Sequence, residues 1–340
     1  MNRVMFMSMR LLVPCLALLW IGMLSAATQG KVTGARFAEF PDWFKESFLD
    51  IQEDAGEAAV EGKHVILFMH LAGCPYCYRM VEENFKHAPY TDYIKEHFDA
   101  IEINIKGDRE IAFDDNTRVT EKELAKLLKV RYTPTIIFLN GDNKPVLRLN
   151  GYRSVEAFGH ALRYVNEKAY QQTTLSRYIE QQGAPRYVLR DHPSFQAVHD
   201  LSQVQGPLLV LFEDRHCDAC DELHDGHLKN PQIVSVLKNY TVVRLDASSD
   251  RSITDPKGNR TTSRAFAERL GLSYRPGILL YDRGREISRI DGLLYTYHFT
   301  EMLRYVGERH YERYPDSFYD YLGVRTRQLL DQGITVDLSE

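Results

Sequence analysis

Cys74-Pro75-Tyr76-Cys77 and Cys217-Asp218-Ala219-Cys220 are two Cys-x-x-Cys pairs in one chain. Two thiols separated by two residues can close into a disulfide and reopen, so each pair is a candidate for two-electron thiol–disulfide exchange. The reacting species is the thiolate, which requires a lowered pKa and access. A helix N-terminus supplies unpaired N–H groups and the positive end of the dipole. Each pair follows an apolar run and precedes a helical pattern. Cys74 and Cys217 are therefore expected at helix starts as nucleophiles, with Cys77 and Cys220, one turn in and shielded, as resolving thiols.

About sixty residues after each pair comes an aromatic-x-Pro and a second apolar run, Tyr132-Thr133-Pro134 and Tyr274-Arg275-Pro276. A cis bond before each proline lets the preceding backbone face the cysteines and pair with an extended substrate chain. That expectation makes Thr133, Pro134, Arg275 and Pro276 substrate-binding residues, with Pro75 and Tyr76 from the first spacer. The plainer reading, a trans proline opening an edge strand, loses ground because the pattern occurs twice.

The two sites are not equal. Pro75 fits the first turn of a helix. Asp218 puts a carboxylate beside Cys217, which raises the thiol pKa and opposes the dipole. His216 and Arg275 are the nearby groups able to offset it. Cys74 is thus expected to be the more acidic thiol. His70, four residues before Cys74, either tunes that site or simply ends a strand.

Elements that would hold these residues appear twice. The first half runs Val65 to Met69, the cysteines, a helical stretch Tyr78 to Phe85, then the strand-like Ala100 to Asn104. The second runs Leu208 to Phe212, the cysteines, helical Asp221 to Leu228, then Thr241 to Leu245. Polar, turn-rich inserts follow (106–119 and 248–261), then helical patterns Glu121 to Lys129 and Ser263 to Leu270. Thr120 and Glu123 have capping-box spacing. The proline strands, hairpins at Gly141-Asp142-Asn143 and Asp282-Arg283-Gly284, and a closing helix complete each copy. Both closing helices contain Leu-Arg-Tyr-Val, at Leu162 to Val165 and Leu303 to Val306. Matched residues stay about 142 positions apart throughout, as duplication predicts. The implied fold is α/β, two tandem domains each with a mixed central sheet flanked by helices.

Composition sets the remaining bounds. The 340 residues are 44% apolar and 11% aromatic, enough for roughly two packed domains. A formal charge of −5 without a basic stretch excludes an electrostatic nucleic-acid footprint. Arg3 and Arg10, the apolar run Leu11 to Leu24 and Ser25-Ala26-Ala27 read as an export signal, with an uncleaved membrane anchor as the alternative. Cys15 falls inside that signal. Export favours persistent disulfides. A zinc site shared by the two pairs is disfavoured because each sits in its own repeat, so neither a metal nor a cofactor is expected beyond the redox-active disulfides. Segment boundaries follow: 1–27 signal, 28–171 first domain with a leading helix within 38–62, 172–186 linker, 187–310 second domain. Residues 311–340 form a tail with a helix from Ser317 to Asp331, serving packing or docking.

These residues resemble the thioredoxin superfamily, through strand, Cys-x-x-Cys, helix and strand-initiating proline in both copies. The first copy is similar to exported thioredoxins of sulfur-oxidation (Sox, SoxW-like) systems, through Gly73 to Cys77, Gly107-Asp108-Arg109-Glu110 and Arg131 to Thr135. The resemblance implies a thiol–disulfide oxidoreductase in the periplasm, drawing electrons from a membrane thiol transporter and acting on client proteins with disulfides. The chain also departs from the family. Gly73 replaces the usual tryptophan, and Pro-Tyr replaces Gly-Pro. The buried aspartate six residues before the first cysteine is replaced by Phe68 and Leu211, which predicts that both domains lack that base. Reduction through Cys74/Cys77, with relay to Cys217/Cys220, is the expected activity. A dithiol oxidase or isomerase stands as one alternative. A binding or chaperone module with a structural second disulfide stands as the other. Oligomeric state is not encoded in any of these features.

Overall fold

The computed structural model describes residues 29–340 apart from 88, 184 and 218. The export signal and Asp218 therefore lie outside the described residues. Among these, no helix is long and apolar enough to cross a membrane.

The first repeat contains β1 (Val32–Thr33), α1 (Ile51–Val60), β2 (His64–His70), α2 (Pro75–Met80), α3 (Thr91–His97), β3 (Phe98–Asn104), β4 (Glu110–Asp114), β5 (Thr117–Thr120), α4 (Glu121–Leu127), β6 (Thr135–Leu139), β7 (Pro145–Asn150), α5 (Val155–Asn166) and α6 (Leu175–Gln182). The second contains β8 (Leu208–Glu213), α7 (Cys220–Asp225), α8 (Pro231–Leu237), β9 (Thr241–Asp246), β10 (Ser252–Thr254), β11 (Arg260–Thr262), α9 (Ser263–Arg269), β12 (Gly277–Asp282), β13 (Arg285–Ile290), α10 (Thr296–Gly307), α11 (Phe318–Asp331) and β14 (Val336–Asp337).

Two four-stranded sheets share one topology, β3-β2-β6-β7 and β9-β8-β12-β13. The central strand of each is parallel to one neighbour and antiparallel to the other. Helices cover both faces, so the central strands are apolar without interruption. The twofold side-chain period then divides them. Ile66 and Phe68 enter one core, while Val65, Leu67 and Met69 enter the other. Leu209 and Leu211 part from Leu208, Val210 and Phe212 in the same way.

The capping box forms: Glu123 accepts from the Thr120 N–H at 2.9 Å and from its hydroxyl at 2.8 Å. The two inserts expected as turns are antiparallel hairpins, β4–β5 and β10–β11. Asp114 and Asp255 set their bends, accepting from Asn116 N at 3.0 Å and from Lys257 N at 2.9 Å. Buried Ile111 and Ile253 anchor them to the domains.

Duplication extends past the closing helices. Lys168 and Arg309, both left-handed at φ 54° and 58°, end α5 and α10 in the same way. Tyr164 donates to Thr173 O and Tyr305 to Tyr314 O, each at 2.7 Å. Thr174 caps α6 and Ser317 caps α11. The segment expected as a linker thus carries α6, and the tail helix α11 is its counterpart in the second repeat.

The repeats meet at equivalent corners. Gly151, after β7, and Gly292, after β13, approach so closely that a Cβ on Gly292 would strike Asn150 O and Gly151 Cα. Arg153 is buried there, donating to Asn150 O at 2.7 Å within its own repeat, and to Ser273 Oγ at 3.1 Å and Asp291 O at 3.2 Å in the other. Each extension helix reaches the opposite repeat: on α6, Arg177 pairs with Glu268 and Glu180 with Arg264, and on α11, Leu330 O accepts from Gly30 N at 2.9 Å. The chain ends are joined as well, β1 pairing with β14 in parallel.

Candidate active site

Pro75 sits at the first position of α2 and Cys74 at its N-cap. The Cys77 N–H donates to Cys74 Sγ at 3.1 Å. Thr133 Oγ1 donates to the same sulfur at 3.4 Å, and Thr133 O lies 3.6 Å from it. A sulfur facing a backbone N–H, a hydroxyl and a helix N-terminus is placed to carry negative charge. Cys74 and Cys77 are joined as a disulfide, with Cα atoms 5.3 Å apart. Both expected prolines follow cis bonds, Thr133–Pro134 and Arg275–Pro276.

Substrate access is unlike the open edge expected from the sequence. Cys74 is 7% exposed and Thr133 8%. Tyr76 stacks on Tyr295 of the second repeat with ring centroids 4.6 Å apart. Its hydroxyl accepts from Tyr295 N and meets His298 Nδ1, each at 2.9 Å. The hydroxyl has one donor and two acceptor sites, so it can accept from Tyr295 N while the direction of its bond to Nδ1 follows the imidazole tautomer. Burial favours the neutral imidazole, lowering the His298 pKa to about 4. The Tyr132 hydroxyl reaches Ser288 at 2.9 Å, so the second repeat also covers the loop before Pro134.

His70 does not bond to the thiols. Its Nε2 lies 2.7 Å from Glu102, which also pairs with Arg109 at 2.7 Å. Arg109 in turn holds the buried Glu121, whose pKa is lowered by that bond and by backbone N–H groups despite burial. The Gly107-Asp108-Arg109-Glu110 insert therefore serves as a clamp at the ends of β3 and α4.

The second pair has a different setting. Cys217 and Cys220 form a disulfide with Cα atoms 5.5 Å apart, but α7 begins only at Cys220. Cys217 is not the helix cap that the sequence predicts. This copy has no proline after its first cysteine to preset the first turn, as Pro75 does. Cys217 is 2% exposed and packs with Tyr187 and Cys220. Arg275 is committed to Asp214 at 2.8 Å and to Tyr274 O at 3.0 Å, so it offers no free charge to Cys217. His216 donates its backbone N–H to Asp214 at 2.9 Å.

Leu211 holds the position six residues before Cys217, as read from the sequence, but a buried carboxyl stands at another position, Glu213, linked to the second pair through Tyr187. Glu213 is 0% exposed, and its Oε2 has no partner. Its Oε1 accepts from the Tyr187 hydroxyl at 3.3 Å and lies 2.7 Å from His224 Nε2. Tyr187 packs on both cysteines, and His224 lies one turn after Cys220 on α7. Desolvation raises the Glu213 pKa to about 7 and lowers that of His224 to about 4. Burial thus pushes both groups toward their neutral forms. Glu213 lies two residues beyond Leu211, on the same strand face. That twofold period was the available signal.

The sequence matches the thioredoxin-like domain family twice, over residues 51–166 and 195–307. No curated protein matches the chain. Among solved structures, a thioredoxin-fold protein from Helicobacter pylori is 30% identical, covering 35% of this chain and 84% of its own, with a TM-score of 0.32. A thioredoxin from Thermus thermophilus is 22% identical over 38% of this chain and 86% of its own, with a TM-score of 0.28. An oxidoreductase named DsbH is 16% identical over 39% and 88%, with a TM-score of 0.27.

Proposed function

The chain belongs to the thioredoxin-like domain family through both of its repeats, and on that basis we propose that it is an exported thiol–disulfide oxidoreductase that works as a reductant through Cys74 and Cys77. The observation that carries the reading is the Cys74 sulfur at the N-cap of α2, met by the Cys77 N–H and the Thr133 hydroxyl. Those groups stabilise the thiolate that attacks a substrate disulfide and later leaves it. In the reduced protein, Cys74 attacks one substrate sulfur and expels the other as a thiolate. Cys77 then attacks Cys74, releasing the second substrate thiol and closing the Cys74–Cys77 disulfide. Two electrons pass to the substrate.

A dithiol donor at the membrane surface would restore the reduced pair, as in the sulfur-oxidation thioredoxins that the first repeat resembles. The test is reduction of a disulfide by the full chain and by Cys74→Ser. Loss of activity in the variant supports the reading, and retained activity removes it. Family potentials run from about −270 to about −120 mV. Equilibration with glutathione fixes direction, and a value at the oxidising end would replace the reductase reading with an oxidase.

For the second pair, burial favours a second reading beside the relay. Cys217 and Cys220 are 2% and 0% exposed beneath Tyr187. A disulfide so enclosed acts as a brace unless the domain opens. Cys217→Ser separates the two readings: a brace costs stability and spares turnover, whereas a relay costs turnover.

A further inference from the structure

A cavity of about 230 Å³ lies between the repeats, with Cys74 and Thr133 on one wall. Leu293 and Met302 of the second repeat and Phe318, Tyr319 and Leu338 of the tail complete its lining. It is smaller than the roughly 300–1,000 Å³ of pockets that hold drug-sized ligands.

Its charges are already assigned. Arg289, at the margin, holds Glu286 at 2.7 and 2.9 Å and Leu270 O at 2.9 Å. His298 is neutral and bonded through Nδ1 to Tyr76. Asp291, 5% exposed, accepts through Oδ2 from Asn150 Nδ2 and Ser273 Oγ, each at 3.4 Å. Lined in this way, the cavity offers no free cation to a carboxylate arm and favours an uncharged one.

The geometry points to a small, uncharged organic disulfide as the substrate of Cys74, taken into this interdomain cavity in preference to a folded client protein or glutathione disulfide. The inference rests on Cys74 being the reactive thiol proposed above. The exchange is balanced: reduced protein and R–S–S–R give the Cys74–Cys77 disulfide and two R–SH. One S–S bond forms as another breaks, and the two thiol protons follow the leaving sulfurs. The covering of Tyr76 and of the loop before Pro134 works in the same direction, because it takes the extended-chain binding edge out of solvent.

The full chain, reduced with dithiothreitol and desalted, is mixed with bis(2-hydroxyethyl) disulfide, glutathione disulfide or insulin. Loss of the Cys74 thiol is followed by quenched alkylation and mass spectrometry. Each rate is divided by that of dithiothreitol with the same disulfide, which removes intrinsic reactivity. The expected result is a normalised rate at least tenfold higher for the hydroxyethyl disulfide. Leu338→Trp, which fills the cavity from the chain end, is expected to reduce that advantage at least severalfold. Tyr319→Ala, at the 42% exposed mouth, is expected to raise the glutathione and insulin rates. Equal or faster normalised rates with glutathione disulfide or insulin overturn the substrate class, as does a preference that neither variant alters. No exchange with any of the three, identical to Cys74→Ser, removes the redox reading and this inference with it.

Discussion

Three features converge on the Cys74 sulfur: a helix start, the Cys77 N–H and the Thr133 hydroxyl. Cys217 has no helix starting behind it and lies under Tyr187. In the reduced protein near pH 7, iodoacetamide should therefore modify Cys74 at least about tenfold faster than Cys217, because both charge and access favour it. Peptide mass spectrometry over a time course measures the ratio, and a faster Cys217 contradicts the assignment. The buried carboxyl makes a separate prediction through linkage. Glu213, raised to about 7, keeps in the folded state a proton that the unfolded chain loses near 4.5. Its contribution to stability therefore falls as pH rises through that window. His224, lowered to about 4, is neutral when folded while the unfolded chain is protonated below about 6.5. Its contribution rises with pH over nearly the same range, so the two cancel in the native protein. Glu213→Gln should gain stability relative to the parent from pH 4.5 to 7, and His224→Gln should lose it from pH 4 to 6.5. Each change is on the order of 3 kcal/mol across its window. Urea unfolding at several pH values tests this, and parallel curves for parent and variants would refute it. Glu213 was legible in principle from strand period alone. The sequence contained no signal that Tyr187, 26 residues earlier, would fold over it, because that contact depends on the path of the connecting segment.

Strands and helices were the most legible level, since both central strands read as unbroken apolar runs and both cysteine pairs followed them. The extension helices were less legible. Residues 172–186 end in Gln181-Gln182-Gly183-Ala184-Pro185 and have the composition of a linker. Their helix buries only Leu175 and Tyr178, so it carries little apolar signal of its own. The clue lay in the repeat instead. Tyr178 packs on Tyr164 at 5.5 Å, and Tyr321 on Tyr305 at 5.6 Å. Thr174 and Ser317 accept from Arg177 N at 3.4 Å and Tyr319 N at 3.0 Å, which satisfies one orphan donor in each helix. Thr174→Ala and Ser317→Ala should each cost about 1 kcal/mol. Ser317→Ala should also speed alkylation of Cys74, because α11 carries Phe318 and Tyr319 of the cavity lining, whereas Thr174→Ala should leave that rate unchanged. Denaturant midpoints together with the alkylation assay check both halves. An equal effect of the two variants on Cys74 would mean that α11 does not act as a cover.

Across the whole molecule, the two repeats behave like a dimer joined in one chain, with equivalent corners meeting and each extension helix crossing to the other repeat. None of this follows from either repeat read alone, since burial of Tyr76 against Tyr295 is a property of the pair. It makes closure at the Gly151–Gly292 contact a condition for the small cavity beside Cys74. A methyl group on Gly292 cannot fit against Asn150 O and Gly151 Cα without moving the corners apart. Overpacking of this kind costs about 1–3 kcal/mol. Gly292→Ala should therefore lower stability by that amount and also loosen the cover on the first disulfide. Dithiothreitol should then reduce Cys74–Cys77 severalfold faster in the variant, and insulin should gain as a substrate relative to a small uncharged disulfide. The second change separates domain opening from simple destabilisation, because a fold weakened within one repeat would lose rate with both substrates alike. If Gly292→Ala is less stable yet keeps its substrate ratio, the corner contact serves stability alone and closure of the cavity must be assigned to the tail.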